Sequence, residues 1–336
     1  MARGIIILIL MITCMCGCNG PSSNRDEAYP PPGVLYDVGG YKLHLQCTGS
    51  GTPAVVMEAG AGDFSLAWAL VAPTIALTNQ VCVYDRAGFG WSEPSPNPRL
   101  ARTQVAELHA LLQKAGIAPP YILVGHSMGG VLVRVFAHLY PAETAGLVLV
   151  DPSHEEQTTR QEPDVQASME AVVASAMASL ADYAARSADG TLTQAEVEPM
   201  VSTALPAKEH SEYAFILRTR PAYWDTLRAE GTQLDQSYAD VRKMRITSLG
   251  DLPLVVIRSS TVMQTAQTAE LSAKADAVLR ALQVEISQES SRGSITTVPD
   301  SPHDIQLVKP QAIIDAISSV RGMAGKEVLI NSPDRG

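Results

Sequence analysis

Residues 121–136 read YILVGHSMGGVLVRVF and set a serine, Ser127, at a junction. Before it runs an apolar stretch, Ile122 to Val124; after it apolar residues recur at helical spacing, with Gly125, Gly129 and Gly130 around the turn. A Gly-x-Ser-x-Gly segment between a buried strand and a helix has a mechanism: a turn too sharp for side chains lifts the hydroxyl above the sheet edge. The N–H groups that open the following helix then face any negative charge developing there. Such a serine is a nucleophile candidate, and at its free pKa it needs a base. His303 is the candidate base, in DSPHDIQLVKP, a loop after the last predicted strand and before a helix. His126 lies inside the turn, His109 and His138 fall on predicted helices, and His154, just past a strand, is the rival.

The elements around these residues alternate. GVLYDVG and YKLHLQCTG form a predicted hairpin closed by Gly39 and Gly40, and PAVVMEAG is a short apolar strand. SLAWALVAPTIAL reads as helical and QVCVYDR as a buried strand; RLARTQVAELHALLQKAG is a helix stopped at Gly116. YILVGHS, a helix from Met128 to about Tyr140, and TAGLVLVDP continue the alternation. This order predicts a mostly parallel sheet covered by helices on both faces. The pattern breaks over 153–249, rich in Ala, Glu, Gln, Ser and Met without strand signals, which reads as an inserted helical cap. LPLVVIRSS, AELSAKADAVLRALQ, SITTVPDSPH and PQAIIDAISSVRGM resume strand and helix. The expected core is therefore 33–152 with 250–322, followed by a disordered tail, 323–336.

With YDRAGFGWSEP after the fourth predicted strand, LVGHSMGG at the turn, GLVLVDPSHEEQ after the sixth and the late histidine of DSPHDIQLVKP, the chain resembles the α/β-hydrolase family, in its single-domain serine-esterase branch. The resemblance runs from Tyr36 to Val320 and implies an α/β-hydrolase fold. It implies Ser127 as nucleophile and His303 as base. The usual place for the acid, after the seventh strand, carries VVIRSSTVMQTAQTAE, with no carboxylate before Glu270. Asp276 falls well into the next helix and Asp251 at the wrong end of that strand. Some members place the acid after the sixth strand, which assigns it to Asp151; a turn aspartate before Pro152 is the other reading of that residue. The oxyanion donors are then the backbone N–H groups of Met128 and of Ala61, in MEAGAGDF. Asp85 and Arg86 read as a structural ion pair or turn network, and Trp91 as pocket lining or core. In this fold the second and fourth strands are neighbours, so Cys47 and Cys82 are placed to form a disulfide or to remain two buried thiols.

With 336 residues, 46% hydrophobic and 18% charged, the chain can bury a large core. Its net charge of −10 argues against nucleic acid as a partner. No glycine pattern suits a dinucleotide and no Cys/His spacing suits zinc, so no cofactor or metal is expected. The segment MARGIIILILMITCMCGC resembles a bacterial lipoprotein signal: 1–17 as the signal peptide, Cys18 as the lipidated residue, 18–32 as a flexible, Pro-rich tether. A cleaved signal and a secreted protein is the alternative. The expected function is hydrolysis of a small-molecule carboxylic ester by an envelope protein tied to the membrane through lipid alone. Amide, peptide and carbon–carbon cleavage are open to the same triad. An inactive surface binding module is the rival of another class. The aspartate-nucleophile chemistry of dehalogenases and epoxide hydrolases is disfavoured by the serine. Lipidation predicts that Cys18→Ala moves the protein out of the membrane fraction; unchanged fractionation contradicts it.

Overall fold

The structure, a computed structural model, describes residues 29–330. The signal peptide, Cys18 and most of the tether lie outside those residues. In chain order, β1 (Val34–Asp37) and β2 (Lys42–Thr48) pair antiparallel, and β3 (Ala54–Glu58) follows. A 3₁₀ turn at Ser65–Trp68 and the short α1 (Ala72–Ile75) lead to β4 (Val81–Tyr84). Then come α2 (Ala101–Lys114), β5 (Tyr121–His126), α3 (Met128–Leu139) and β6 (Thr144–Val150). Helices α4 (Pro163–Asp189), α5 (Gln194–Val197), α6 (Ala207–Thr219) and α7 (Pro221–Met244) follow, with no strand between β6 and β7 (Leu254–Arg258). The chain closes with α8 (Ala269–Gln288), β8 (Gly293–Thr297), α9 (Ile305–Val308) and α10 (Pro310–Ile330).

The eight strands form one sheet in the order β1-β2-β4-β3-β5-β6-β7-β8. β2 runs antiparallel to β4, and from β4 to β8 every pairing is parallel. The central strands read as unbroken apolar runs because they have no solvent face, yet they alternate between two cores. Val56, Leu123, Leu147, Leu149 and Val256 pack with Leu108 and Leu111 of α2 and with Val131 of α3. Val55, Met57, Ile122, Val124, Val148 and Ile257 pack on the opposite face with Trp68, Ile313 and Ile317.

The helices between β6 and β7 cover the sheet edge through a third apolar cluster. Leu180, Val197, Ile216, Leu217 and Trp224 meet Phe64, Phe89 and Trp91 of the sheet's loops. Trp91 is core, 3% exposed.

Two expectations at the chain ends need correction. The tether does not stay free to residue 32: the Trp91 indole N–H donates to the Tyr29 carbonyl at 3.0 Å, and the Tyr29 ring packs, tilted by 60°, 5.1 Å from Phe215 of α6. An aromatic ring beside a half-open apolar surface outweighs the loop signal of its proline-rich neighbours. Nor does order end at 322, since α10 continues to Ile330. Residues 323–330 contain neither proline nor a run of charge to stop a helix already under way.

Cys47 and Cys82 are register partners on β2 and β4 and are joined in a disulfide. The bond closes a loop of 35 residues. Replacing both cysteines by alanine should therefore lower stability by roughly 2–4 kcal/mol. Urea unfolding checks it: the midpoint drops for the double variant, and an unchanged midpoint contradicts the crosslink.

Candidate active site

The parallel strands all point their C-terminal ends to one edge, where an open α/β sheet gathers functional loops. Ser127 follows β5, Asp151 follows β6, His303 follows β8, and residues 59–63 follow β3. Ser127 stands at the N-terminus of α3 with φ +53° and ψ −121°. A non-glycine residue there costs about 1–3 kcal/mol and persists only when its surroundings dictate it. Here they do. Ser127 N–H donates to the Val150 carbonyl at 3.0 Å, and its carbonyl accepts from Gly130 at 2.9 Å and Ser153 at 3.0 Å. The flanking glycines are required by close approach. A Cβ on Gly125 would lie 2.5 Å from the Gly129 carbonyl oxygen, and one on Gly129 would lie 2.6 Å from that of Ala59.

His303 and Asp151, 152 residues apart, meet through His303 Nδ1 and Asp151 Oδ2 at 2.7 Å, both nearly buried. Asp151, at φ +42°, is held from two further sides. Its Oδ1 accepts the backbone N–H of Ser259 at 3.2 Å and the Gln283 amide at 3.1 Å. Burial alone would raise the Asp151 carboxyl, but His303, Ser259 and Gln283 bring it down to about 2. Burial likewise disfavours the His303 imidazolium, yet Asp151, Asp304 and Asp63 outweigh that and raise its pKa above the ordinary value. The His303 ring centroid lies 4.6 Å from that of His126, the residue before Ser127. Among the described residues Ser127 Oγ makes no hydrogen bond, so the serine–histidine contact is open here. Such contacts are commonly loose without substrate.

The rival residues sit elsewhere. His154 accepts the Glu156 N–H at 3.0 Å, and burial pushes it down to about 4. His109 stacks on Tyr140 and faces Glu143, and His138 is exposed. Asp276 pairs with Arg280, while Glu270 and Asp251 are exposed.

The N–H of Met128 opens α3 and is free of intrahelical partners. Across from it, Gly60 comes so close that a Cβ there would lie 3.4 Å from Ser127 Cβ. Residues 60–63 form a tight turn, with Asp63 N–H donating to the Gly60 carbonyl at 3.2 Å. Ala61 is therefore the first corner residue of a turn whose Gly60 lies against the serine.

Three features had no signal in the sequence. Arg86, buried, does not pair with Asp85. It donates to Glu58 at 2.8 Å, to the carbonyls of Ala59 and Gly60 at 2.7 Å each, and to Glu230 of α7 at 3.0 Å. Asp85 instead pairs with His44 at 2.9 Å and accepts from the N–H groups of Ser65 and Trp91. Next, Asp63 and Asp304 stand beside His303. Burial, then the charge of Asp304, pushes Asp63 up to about 6. Finally, Tyr213 and Tyr223 reach down from the cap onto the 60–63 turn.

Asp63, His126 and Asp304 bring ligand-type atoms within 4.8 Å of one another. Both nitrogens of His126 are engaged, Nε2 with the His303 carbonyl at 3.2 Å and Nδ1 with Gln306 at 3.4 Å. What remains is a pair of carboxylates rather than a metal-binding set. A cavity of about 630 Å³ beside Arg102, Asp240 and Lys243 includes none of these residues.

Residues 53–280 match the family model described as the alpha/beta hydrolase fold. The chain belongs to the α/β-hydrolase family. It is similar to the uncharacterized protein YqjL of Bacillus subtilis, 38% identical over 119 residues, which is 35% of this chain and 47% of that one. The chain spans less than half the length of the curated relatives it matches first. Among solved structures it resembles the epoxide hydrolase CorEH, with TM-score 0.64, 17% identity, and 86% of this chain and 98% of that chain covered. It also resembles a thermophilic esterase from Thermogutta terrifontis, with TM-score 0.58, 18% identity, and 87% and 98% covered. At such identities the likeness is one of fold.

Proposed function

We propose that this α/β hydrolase is a serine esterase that cleaves a small carboxylic ester through an acyl-enzyme. The observation that carries the reading is the buried His303–Asp151 hydrogen bond of 2.7 Å beside the strained Ser127 turn. Among the described residues His303 Nε2 has no hydrogen-bond partner, which leaves it to take the Ser127 proton as Oγ attacks the ester carbonyl. The carbonyl oxygen gains negative charge between the N–H groups of Met128 and Ala61. His303 then gives its proton to the departing alkoxide. Water, deprotonated by the same histidine, attacks the acyl-enzyme and releases the acid. Asp151 keeps the Nδ1 tautomer and stabilises the imidazolium; three fixed donors hold it in place.

The charges around His303 give the reading a pH signature. A general base acts only when neutral, and His303 is raised above the ordinary imidazole value of 6.5. The acid limb of kcat/KM on p-nitrophenyl butyrate should accordingly have its midpoint above 6.5. His126, driven down to about 3 chiefly by burial, stays neutral throughout and does not contribute. Asp151→Asn removes the largest raising influence on His303, so the midpoint should move down. The rate should fall by up to about 10⁴-fold, the loss typical when a triad carboxylate becomes an amide. Near-wild-type turnover in Asp151→Asn, with activity lost instead in Glu270→Gln, contradicts the assignment.

A further inference from the structure

Three carbonyls of the 59–63 turn are held by side chains from outside it. Arg86 takes those of Ala59 and Gly60. The Gly62 carbonyl is taken by the cap: Tyr223 OH donates to it at 2.8 Å, and Tyr213 OH lies 3.3 Å from it. Tyr213 OH also donates to Asp63 Oδ1 at 2.8 Å, so one phenol spans the last two residues of the turn. In a planar trans peptide the N–H points away from the carbonyl of the preceding residue. Arg86 on the Gly60 carbonyl therefore turns the Ala61 N–H the other way. The hold on the Gly62 carbonyl aims the Asp63 N–H back at Gly60 and closes the turn at 3.2 Å. Gly62, at φ +75°, makes the reversal.

Both rings are themselves held. Tyr213 packs 4.3 Å from Phe64, and Tyr223 packs edge-on against Phe89 at 5.4 Å and Trp224 at 4.9 Å. Burial keeps both phenols protonated far above the ordinary tyrosine range, so each remains a donor at any working pH. Tyr223 of α7 thus donates to the Gly62 carbonyl, and Tyr213 of α6 donates to the adjoining Asp63 carboxylate with its oxygen 3.3 Å from that carbonyl.

We propose that Tyr213 and Tyr223 are positioning residues that lock the 60–63 turn from the cap and so hold the Ala61 N–H toward the oxyanion. The inference rests on the esterase reading and adds to it. The cap is then part of the catalytic apparatus, and its displacement would loosen an oxyanion donor as well as uncover the site. Among the described residues neither phenol hydrogen-bonds Ser127; they act through the turn they hold.

The test compares the full chain with Tyr223→Phe, Tyr213→Phe and the double variant, each checked for folding by circular dichroism. Steady-state hydrolysis of p-nitrophenyl butyrate is measured beside inhibition by an aryl trifluoromethyl ketone, whose serine adduct carries an oxyanion. Complete loss of one oxyanion donor lowers kcat by about 10²–10³-fold. The double variant should approach about 10²-fold and Tyr223→Phe about tenfold, with KM changed less than about threefold. Affinity for the ketone should fall in step with kcat/KM. An unchanged kcat, or a rise in KM alone, would show phenols that pack or bind substrate and would overturn the proposal. Should Tyr213→Phe fail to fold, Tyr223→Phe decides the matter through its 2.8 Å bond. Wild-type protein without turnover overturns the esterase reading and this proposal with it; active wild type with unaffected variants overturns the proposal alone.

Discussion

The buried guanidinium of Arg86 is the tie on which the geometry of the candidate site depends. It joins the end of β3 through Glu58, the turn at 59–63 through the Ala59 and Gly60 carbonyls, and the cap through Glu230. All three carboxylate and guanidinium side chains are about 2–3% exposed or less. Burying such charges is costly, and the cost is met only because every one is paired and hydrogen-bonded. Burial pushes the Glu58 carboxyl up, against the pull of Arg86 and of the Tyr84 hydroxyl that also donates to it. Removing Arg86 would leave Glu58 and Glu230 buried without their cation, a change that typically costs about 3–5 kcal/mol. Few arrangements of β3, β4 and α7 satisfy all these partners together, which is what makes the turn rigid.

Rigidity also explains the backbone strain. Ser127 and Asp151 both have positive φ, and both are fixed by backbone hydrogen bonds to neighbouring strands: Ser127 N–H to Val150, and Asp151 N–H to Ile257 at 2.6 Å. Two of the four described non-glycine residues with positive φ thus stand at the same sheet edge. The electrostatics follow the same layout. Asp151, Asp63 and Asp304 surround His303 with negative charge, while His126 beside it is kept neutral by burial. The field at the site thus favours a cation on His303, as the proposed acyl transfer would require.

Much of this was legible in the residues themselves. The alternation of strand and helix, the glycine-flanked serine and the late histidine are local signals, carried by spacing and by side-chain volume. The choice of Asp151 followed from the lack of a carboxylate after β7, and the structure supplies a physical counterpart. At that strand end stands Ser259, whose N–H donates to Asp151. What could not be read are contacts between distant parts of the chain with no periodic signature. Arg86 meets Glu230 across 144 residues, and Tyr223 meets Gly62 across 161. Asp85 and Arg86, adjacent in sequence, read as an ion pair or a turn network; they belong to two separate networks, Asp85 capping the backbone N–H groups of Ser65 and Trp91, since neighbouring side chains at a strand end diverge. At the termini, composition marked loops where an aromatic contact at Tyr29 and a continuing helix at α10 prevail.

The most direct measurement of the central claim is the intact mass of the folded full chain after exposure to a fluorophosphonate, beside Ser127→Ala. The account predicts one adduct per wild-type molecule and none on the variant, because attack at phosphorus needs both an activated Ser127 and donors for the oxyanion. Well-folded wild type that stays unlabelled, or a variant labelled as fully as wild type, would contradict it.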